Sequence, residues 1–346
     1  MNNTFDTETL NTCHRLINCV SMLEFRQAFD QFYVYRTPSE LRGVIQCLQS
    51  GVIGKEHPPT ISSCICGSGM DAFICCEVSN IRPSQSVVGR SIAPSFVVPG
   101  QLSSDAALQI RNALLKLLIE NLSYIYEDLN RTCNTIDWVR TTQSADIIYY
   151  HTPTISAEQK TLIVGLTGMM QRLMIPTYIW LKHLDAQQYD LLLVRDRNKR
   201  SFIDGVEGCE GSLDAIVTYV KKFAVLNKYQ KVIVVGTSGG ALPAIYMGLV
   251  NEFEKIIAIG PPSLAKHTKI ATMLNTALNF QSSSFSNKVF VSFTSKVNAD
   301  VDAAHQIELA LPGVNLHPEN RTNSHNVVHD LNQLGLFPWF LDKFIN

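Results

Sequence analysis

Nowhere in the 346 residues do about 18 apolar side chains follow one another, so the sequence offers no membrane-spanning helix; its longest apolar pieces have the length of a buried strand. Runs of like charge are missing too. The totals nearly cancel, 29 Lys plus Arg against 30 Asp plus Glu, and without a basic footprint no nucleic-acid partner is expected. The N-terminal segment carries acidic residues before any basic one and lacks the continuous apolar stretch of a secretory signal, so a cytoplasmic location is expected. Nine cysteines are present, but none stands in CxxC spacing. Cys64, Cys66, Cys75 and Cys76 do not form a zinc knuckle, and the odd total fits reduced thiols better than a disulfide framework. No metal and no cofactor are called for. No internal repeat is visible, and the one low-complexity stretch, 281–286, reads as a loop.

A hydrophobic share of 46% with 17% charged residues describes an ordered globular chain, long enough for one large domain or two small ones. Residues 1–140 read as an accessory region, helical with short strands. A helix is expected over 10–32, a second beginning at Pro38-Ser39-Glu40, short strands at FICCEV and SVVG within 61–98, and a long helix capped by Ser103-Ser104-Asp105. After Trp138 the pattern changes. Apolar strands at 146–151, 161–166, 190–195, 231–236, 255–260 and 288–293 alternate with helical stretches near 172–186, 211–226, 239–252, 264–279 and 302–311, and GVNLHP reads as the last strand. That alternation predicts an α/β domain over 141–346, built on a mostly parallel sheet flanked by helices.

Within it, KVIVVGTSGGALPAIYMGL places Gly236-Thr237-Ser238-Gly239-Gly240 directly after a buried strand and directly before a helix. A serine nucleophile needs such a turn. The sharp strand-to-helix bend holds Ser238 in strained backbone, and the glycines let the chain close around it without a Cβ clash. The following helix aims its N-terminal amides at the same spot. A phosphate-cradling loop is disfavoured, because GTSGGA lacks both the Walker lysine and the GxGxxG spacing.

A general base and an acid to orient it should follow the serine in the chain. The polar loop after KVFVSF holds Asp300 and Asp302. Asp300 is preferred as the acid, because Asp302 stands where it would cap the helix expected at 302–311, and Asp302 is the alternative acid. The loop ENRTNSHNVVHDLNQLG carries His325 and His329. His329 falls on the face of a helix marked by Val328, Leu331 and Leu334, which leaves His325 as the base. TLIVGLTGMMQRLMIP fits the place of an oxyanion loop: the backbone amides of Gly168 or Met169 would act with that of Gly239. The stripe Ile270, Leu274 and Leu278 belongs either to a lid over an acyl pocket or to ordinary core.

The GTSGGA elbow after KVIVVG, the acid-bearing loop after KVFVSF and SHNVVHDL near the C-terminus together resemble the α/β-hydrolase superfamily over roughly residues 146–346. That resemblance implies a Ser-Asp-His triad of Ser238, Asp300 and His325, and acyl transfer to water from an ester or thioester, with a small-molecule acyl substrate as the partner. An acyltransferase on the same triad, or a binding protein that keeps the fold without the chemistry, are the alternatives. The HGG signature of many lipases and esterases is absent from the oxyanion loop.

Overall fold

Residues 35–49, 138–279 and 287–346 are described in the computed structural model of the chain. The chain divides into two units, Met1–Thr135 and Ile136–Asn346. In the first, the described part is helix α1, Pro38–Gln49. Its start is a reciprocal capping box: the Thr37 amide donates to Glu40 Oε2 at 2.7 Å and the Glu40 amide to Thr37 Oγ1 at 3.2 Å. The helix expected over 10–32, the strands within 61–98 and the helix from Ser103 lie outside the described residues.

The second unit is built on eight strands: β1 Val139–Ser144, β2 Ile147–His151, β3 Thr161–Leu166, β4 Tyr189–Val194, β7 Lys231–Thr237, β8 Lys255–Ile259, β9 Val289–Thr294 and β10 Asn315–Glu319. The intervening β5, Gly205–Val206, and β6, Cys209–Glu210, form a separate ribbon. The order across the sheet is β1-β2-β4-β3-β7-β8-β9-β10. Only β2 runs antiparallel to both its neighbours; from β4 to β10 all pairings are parallel. The middle strands are covered on both faces, which is why they read as unbroken apolar runs.

Helices α2 Thr177–His183, α3 Leu213–Leu226, α4 Ala241–Asn251, α5 Thr268–Asn279, α6 Asn298–Ala310, α7 Val327–Gln333 and α8 Phe337–Phe344 complete the unit. Helix α4 is apolar along most of its length because it lies directly on β7 and β8. A Cβ on Gly248 would come within 2.2 Å of Ile256 Cγ1, so the helix backbone nearly touches the sheet. Ile270 and Leu274 of α5 join the core and are fully buried, which settles that stripe as packing.

Three expectations need correction. The helix expected over 172–186 begins only at Thr177, since Pro176 biases Ile175 away from helical backbone. The helix expected at 302–311 begins at Asn298: the amides of Asp300 and Val301 both donate to Val297 O, at 2.9 and 3.2 Å. Asp302 is thus an exposed residue inside α6 and caps nothing. Strand β1, VRTTQS, has too little apolar character to be read from sequence and is held by pairing with β2.

At the N-terminal ends of β3, β4 and β7, Lys160 and Asp190 form a buried ion pair, Nζ to Oδ1 2.9 Å, with side chains 0% and 2% exposed. Lys160 also donates to Thr152 O at 3.1 Å, and the Tyr229 hydroxyl donates to Asp190 Oδ2 at 2.5 Å with Tyr149 alongside. Burial is the largest cause that pushes both tyrosine hydroxyls well above their ordinary range, so they remain protonated. Asp190→Ala would strand the lysine charge and is expected to cost about 3–5 kcal/mol in urea unfolding. The double change Lys160→Met with Asp190→Leu should cost less than Asp190→Ala alone, because no lone charge is left behind.

Candidate active site

An eight-stranded sheet in this order with its second strand reversed is the α/β-hydrolase fold, in which reacting groups gather where the parallel strands end. Strand β7 ends at Thr237, and a single turn, Ser238–Gly240, joins it to α4. Ser238 has φ of +49°, a left-handed conformation unusual for a residue with a side chain. The turn is tight because β7 and α4 all but touch. A Cβ on Gly236 would lie 2.2 Å from Gly240 O, and one on Gly240 would lie 2.4 Å from Leu166 O. Gly239 is different: its nearest neighbours would be Met169 Sδ and Ser201 Oγ, both at 3.7 Å, so only two glycines of the motif are sterically obligatory.

His325 Nε2 stands 2.9 Å from Ser238 Oγ, and His325 Nδ1 stands 2.9 Å from Asp300 Oδ1. A carboxylate only accepts, so the neutral tautomer that satisfies both contacts carries its proton on Nδ1 and receives the serine O–H at Nε2. Asp300 is buried at 6% side-chain exposure, while the imidazole is 37% exposed. The second carboxylate oxygen, Oδ2, is buried with no hydrogen-bond partner among the described residues. The acceptor strength of Asp300 is therefore directed at the imidazole.

Ser238 follows β7, but His325 follows β10, and the imidazole has to reach back across the ends of β9 and β8. Gly260, at the end of β8, makes room. Its φ is +54°, and a Cβ there would lie 3.1 Å from His325 Cε1 and 3.0 Å from His325 O. Asp330, in α7, shapes the loop from the other side: its carboxylate accepts from the amides of Asn323 and Ser324, each at 2.9 Å, and from Ser324 Oγ. The loops after β9 and β10 are tied to each other by Thr294 Oγ1 donating to Thr322 O at 3.1 Å and by Lys296 Nζ donating to Asn323 Oδ1 at 2.7 Å. Sequence reading missed Gly260 and Asp330. The only signal was their position, a glycine closing the KIIAIG strand and an aspartate five residues after His325.

Of the remaining sequence candidates, His329 sits on α7, where burial lowers its pKa from the usual histidine value, and Asp302 stands exposed on α6. Gly168 lies against the nucleophile, its Cβ position 3.2 Å from Ser238 Cβ. Its amide, however, donates to Arg172 O at 3.2 Å. Gly168 thus serves close packing and a turn, and is withdrawn as an oxyanion donor; the amides of Met169 and Gly239 are the candidates left.

A cleft of about 470 Å³ is lined by Asp146, Arg197, Asp204, Glu207 and Glu210, but Arg197 already bridges Asp146 at 2.5 Å and Glu207 at 2.6 Å. Among the described residues no three His, Cys, Asp or Glu side chains are grouped to hold a metal ion, and no helix is long and apolar enough to cross a membrane.

No family model and no curated protein matches the chain. Among solved structures it is similar to an esterase from Pyrococcus furiosus, Pf2001, at 18% identity over 61% of this chain and 94% of that one, with a TM-score of 0.36. It is also similar to a CIB-like hydrolase from Thermoplasma acidophilum (13% identity, 60% of this chain and 99% of that one, TM-score 0.41) and to Est1E from Butyrivibrio proteoclasticus (13%, 60% and 98%, TM-score 0.38). Likeness at this level says nothing about chemistry, which has to be read from the site itself.

Three substitutions test the geometry. Gly260→Ala should cost about 1–2 kcal/mol for its left-handed backbone and displace the imidazole, whereas Gly239→Ala, with 3.7 Å of clearance, should leave the melting temperature nearly unchanged. Asp330→Ala, which frees three donors of the His325 loop, should lower stability by about 1–3 kcal/mol in chemical denaturation.

Proposed function

We propose that this chain is a serine hydrolase that cleaves an ester or thioester through an acyl-enzyme. The observation that carries the reading is the unbroken relay of two 2.9 Å contacts from Asp300 through His325 to the strained Ser238. As Ser238 Oγ attacks the carbonyl carbon, its proton passes to His325 Nε2, and the buried Asp300 carboxylate stabilises the imidazolium and keeps its ring in register. The carbonyl oxygen, now negative, is received by the amides of Met169 and Gly239, a contribution typically of about 3–4 kcal/mol per donor. Collapse of the tetrahedral species breaks the bond to the leaving alcohol or thiol, which takes the proton back from Nε2. Water, deprotonated at the same nitrogen, attacks the acyl-enzyme and releases the acid. As the acid departs, Nε2 passes the water's proton to Ser238 Oγ; the serine's first proton has left with the alcohol or thiol, so the net change is hydrolysis with the relay restored, and the cycle needs neither metal nor cofactor.

The test is labelling of the purified protein with a fluorophosphonate probe. Wild type should be labelled, and Ser238→Ala and His325→Ala should not. Asp300→Asn, which favours the wrong imidazole tautomer, should slow ester turnover by about 10³–10⁴-fold. Folded wild-type protein that takes up no probe and turns over no activated ester would overturn the reading and leave a fold used for binding alone.

A further inference from the structure

The segment between β3 and α2 runs around the reacting pair. At one end Gly168 lies against Ser238, and at the other Met174 Cε and His325 Cε1 both lie 3.1 Å from the Cβ position of Gly260. Arg172 stands between them. Its carbonyl accepts from the Gly168 amide at 3.2 Å and from Thr237 Oγ1 at 3.4 Å, which locks its backbone next to the residue that precedes the nucleophile. Buried Leu173 and Ile175 anchor the segment on one side, at 2% and 1% exposure, and Gln171 Nε2 donates to Asp196 O at 2.5 Å on the other. Gln171 and Met174 both adopt left-handed backbone, φ +60° and +63°. Neither is glycine, and such conformations persist where surrounding structure fixes them, most often at ligand sites.

Arg172 is half-buried and its guanidinium makes no hydrogen bond or ion pair among the described residues, whereas Arg197, Arg321, Lys160 and Lys228 each hold a carboxylate. Its charge reaches α7, the helix that follows His325, where after burial and Asp330 it contributes to the balance at His329. A half-buried cation without a counter-ion carries a desolvation penalty that no carboxylate among the described residues offsets. An anion supplied by the substrate removes that penalty and finds a planar, five-donor fork suited to a carboxylate. Met169 and Met170, 47% and 61% exposed, give the same segment an apolar rim for the uncharged part of the molecule.

We propose that Arg172 is the substrate-recognition residue of this site, and that the substrate is an ester or thioester bearing a carboxylate on its acyl or its leaving half. The proposal rests on Ser238 being the nucleophile. It is tested with two matched pairs of esters. 4-Nitrophenyl hemisuccinate against 4-nitrophenyl butyrate places the anion on the acyl half. The butyryl ester of 4-hydroxybenzoate against that of its methyl ester places it on the leaving half. In wild type the kcat/KM ratio of anionic to neutral ester should be well above one in one pair, which identifies the half. In Arg172→Gln that ratio should fall by roughly ten- to a hundredfold, and Arg172→Lys should restore part of it. A wild-type ratio near one in both pairs, or a preference that survives Arg172→Gln, overturns the proposal.

A readout without turnover separates this outcome from failure of the hydrolase reading. The hemisuccinate and 4-hydroxybenzoate esters should raise the melting temperature of Ser238→Ala more than their neutral counterparts do, and this difference should vanish in Ser238→Ala with Arg172→Gln. If the difference is seen while wild type takes up no fluorophosphonate, the anion site stands and the catalytic reading falls. If wild type is labelled and neither anionic ester is favoured in either assay, the reverse holds.

Discussion

The close approach of α4 to β7 and of both to β3 is the constraint on which the site depends. With Gly236 and Gly240 as the contact points, the chain reverses within a few residues along a path that has no room for a Cβ at either position. Ser238 is pushed into left-handed backbone by that path, and its hydroxyl is raised clear of the sheet towards His325. The strain of about 1–2 kcal/mol is carried by the buried faces of β3, β7 and β8, which are among the most completely enclosed parts of the unit.

The imidazole depends on the far side of the sheet. A histidine that follows the edge strand β10 can meet a serine that follows the central strand β7 only if its loop is stiff enough to hold an extended reach. The Asp330 carboxylate, the Thr294–Thr322 contact and the left-handed Gly260 supply that stiffness, each from a different element. Asp300 adds direction, because among the described residues Oδ2 has no partner and the hydrogen bond from Nδ1 is the one that satisfies the carboxylate. The ring orientation is thus over-determined even though the imidazole remains partly open to solvent.

What could be read from sequence follows from how local each signal is. The strands from 161–166 to 288–293 are legible because burial on both faces leaves unbroken apolar runs, and the Ser238 elbow is legible because its glycines are adjacent in the chain. Chain order narrowed the candidates to Asp300 or Asp302 and His325 or His329, and the contacts that lead to Ser238 fall to Asp300 and His325. The stated reason for preferring Asp300 did not survive: the helix starts at Asn298, so neither aspartate is a cap, and what distinguishes the two is that one faces inward and the other faces solvent. Strand β1 and the β5–β6 ribbon were illegible because each exists by pairing with a partner. Gly168 was misassigned for the same kind of reason, since the Arg172 carbonyl that occupies its amide depends on how the whole loop folds back.

Left-handed backbone at residues other than glycine is concentrated around Ser238. Gln171 and Met174 lie on the loop after β3, and Lys199, Ser201 and Phe202 on the loop after β4, all with φ between +53° and +63°. The two loops are joined by the bond from Gln171 to Asp196, and buried Asp196 in turn accepts the amides of Arg200 and Phe202 at 2.7 and 2.9 Å. Through this brace Met169 Sδ and Ser201 Oγ are both brought to 3.7 Å from the Cβ position of Gly239, so the residue beside the nucleophile is walled by one side chain from each loop. Backbone strain of this kind is unfavourable for folding and is tolerated only where rigid neighbours enforce it. Its accumulation on both loops that face the nucleophile means that a relaxed version of either would be more stable and would lose the wall, which is the trade expected of a site shaped for binding a particular substrate rather than for stability.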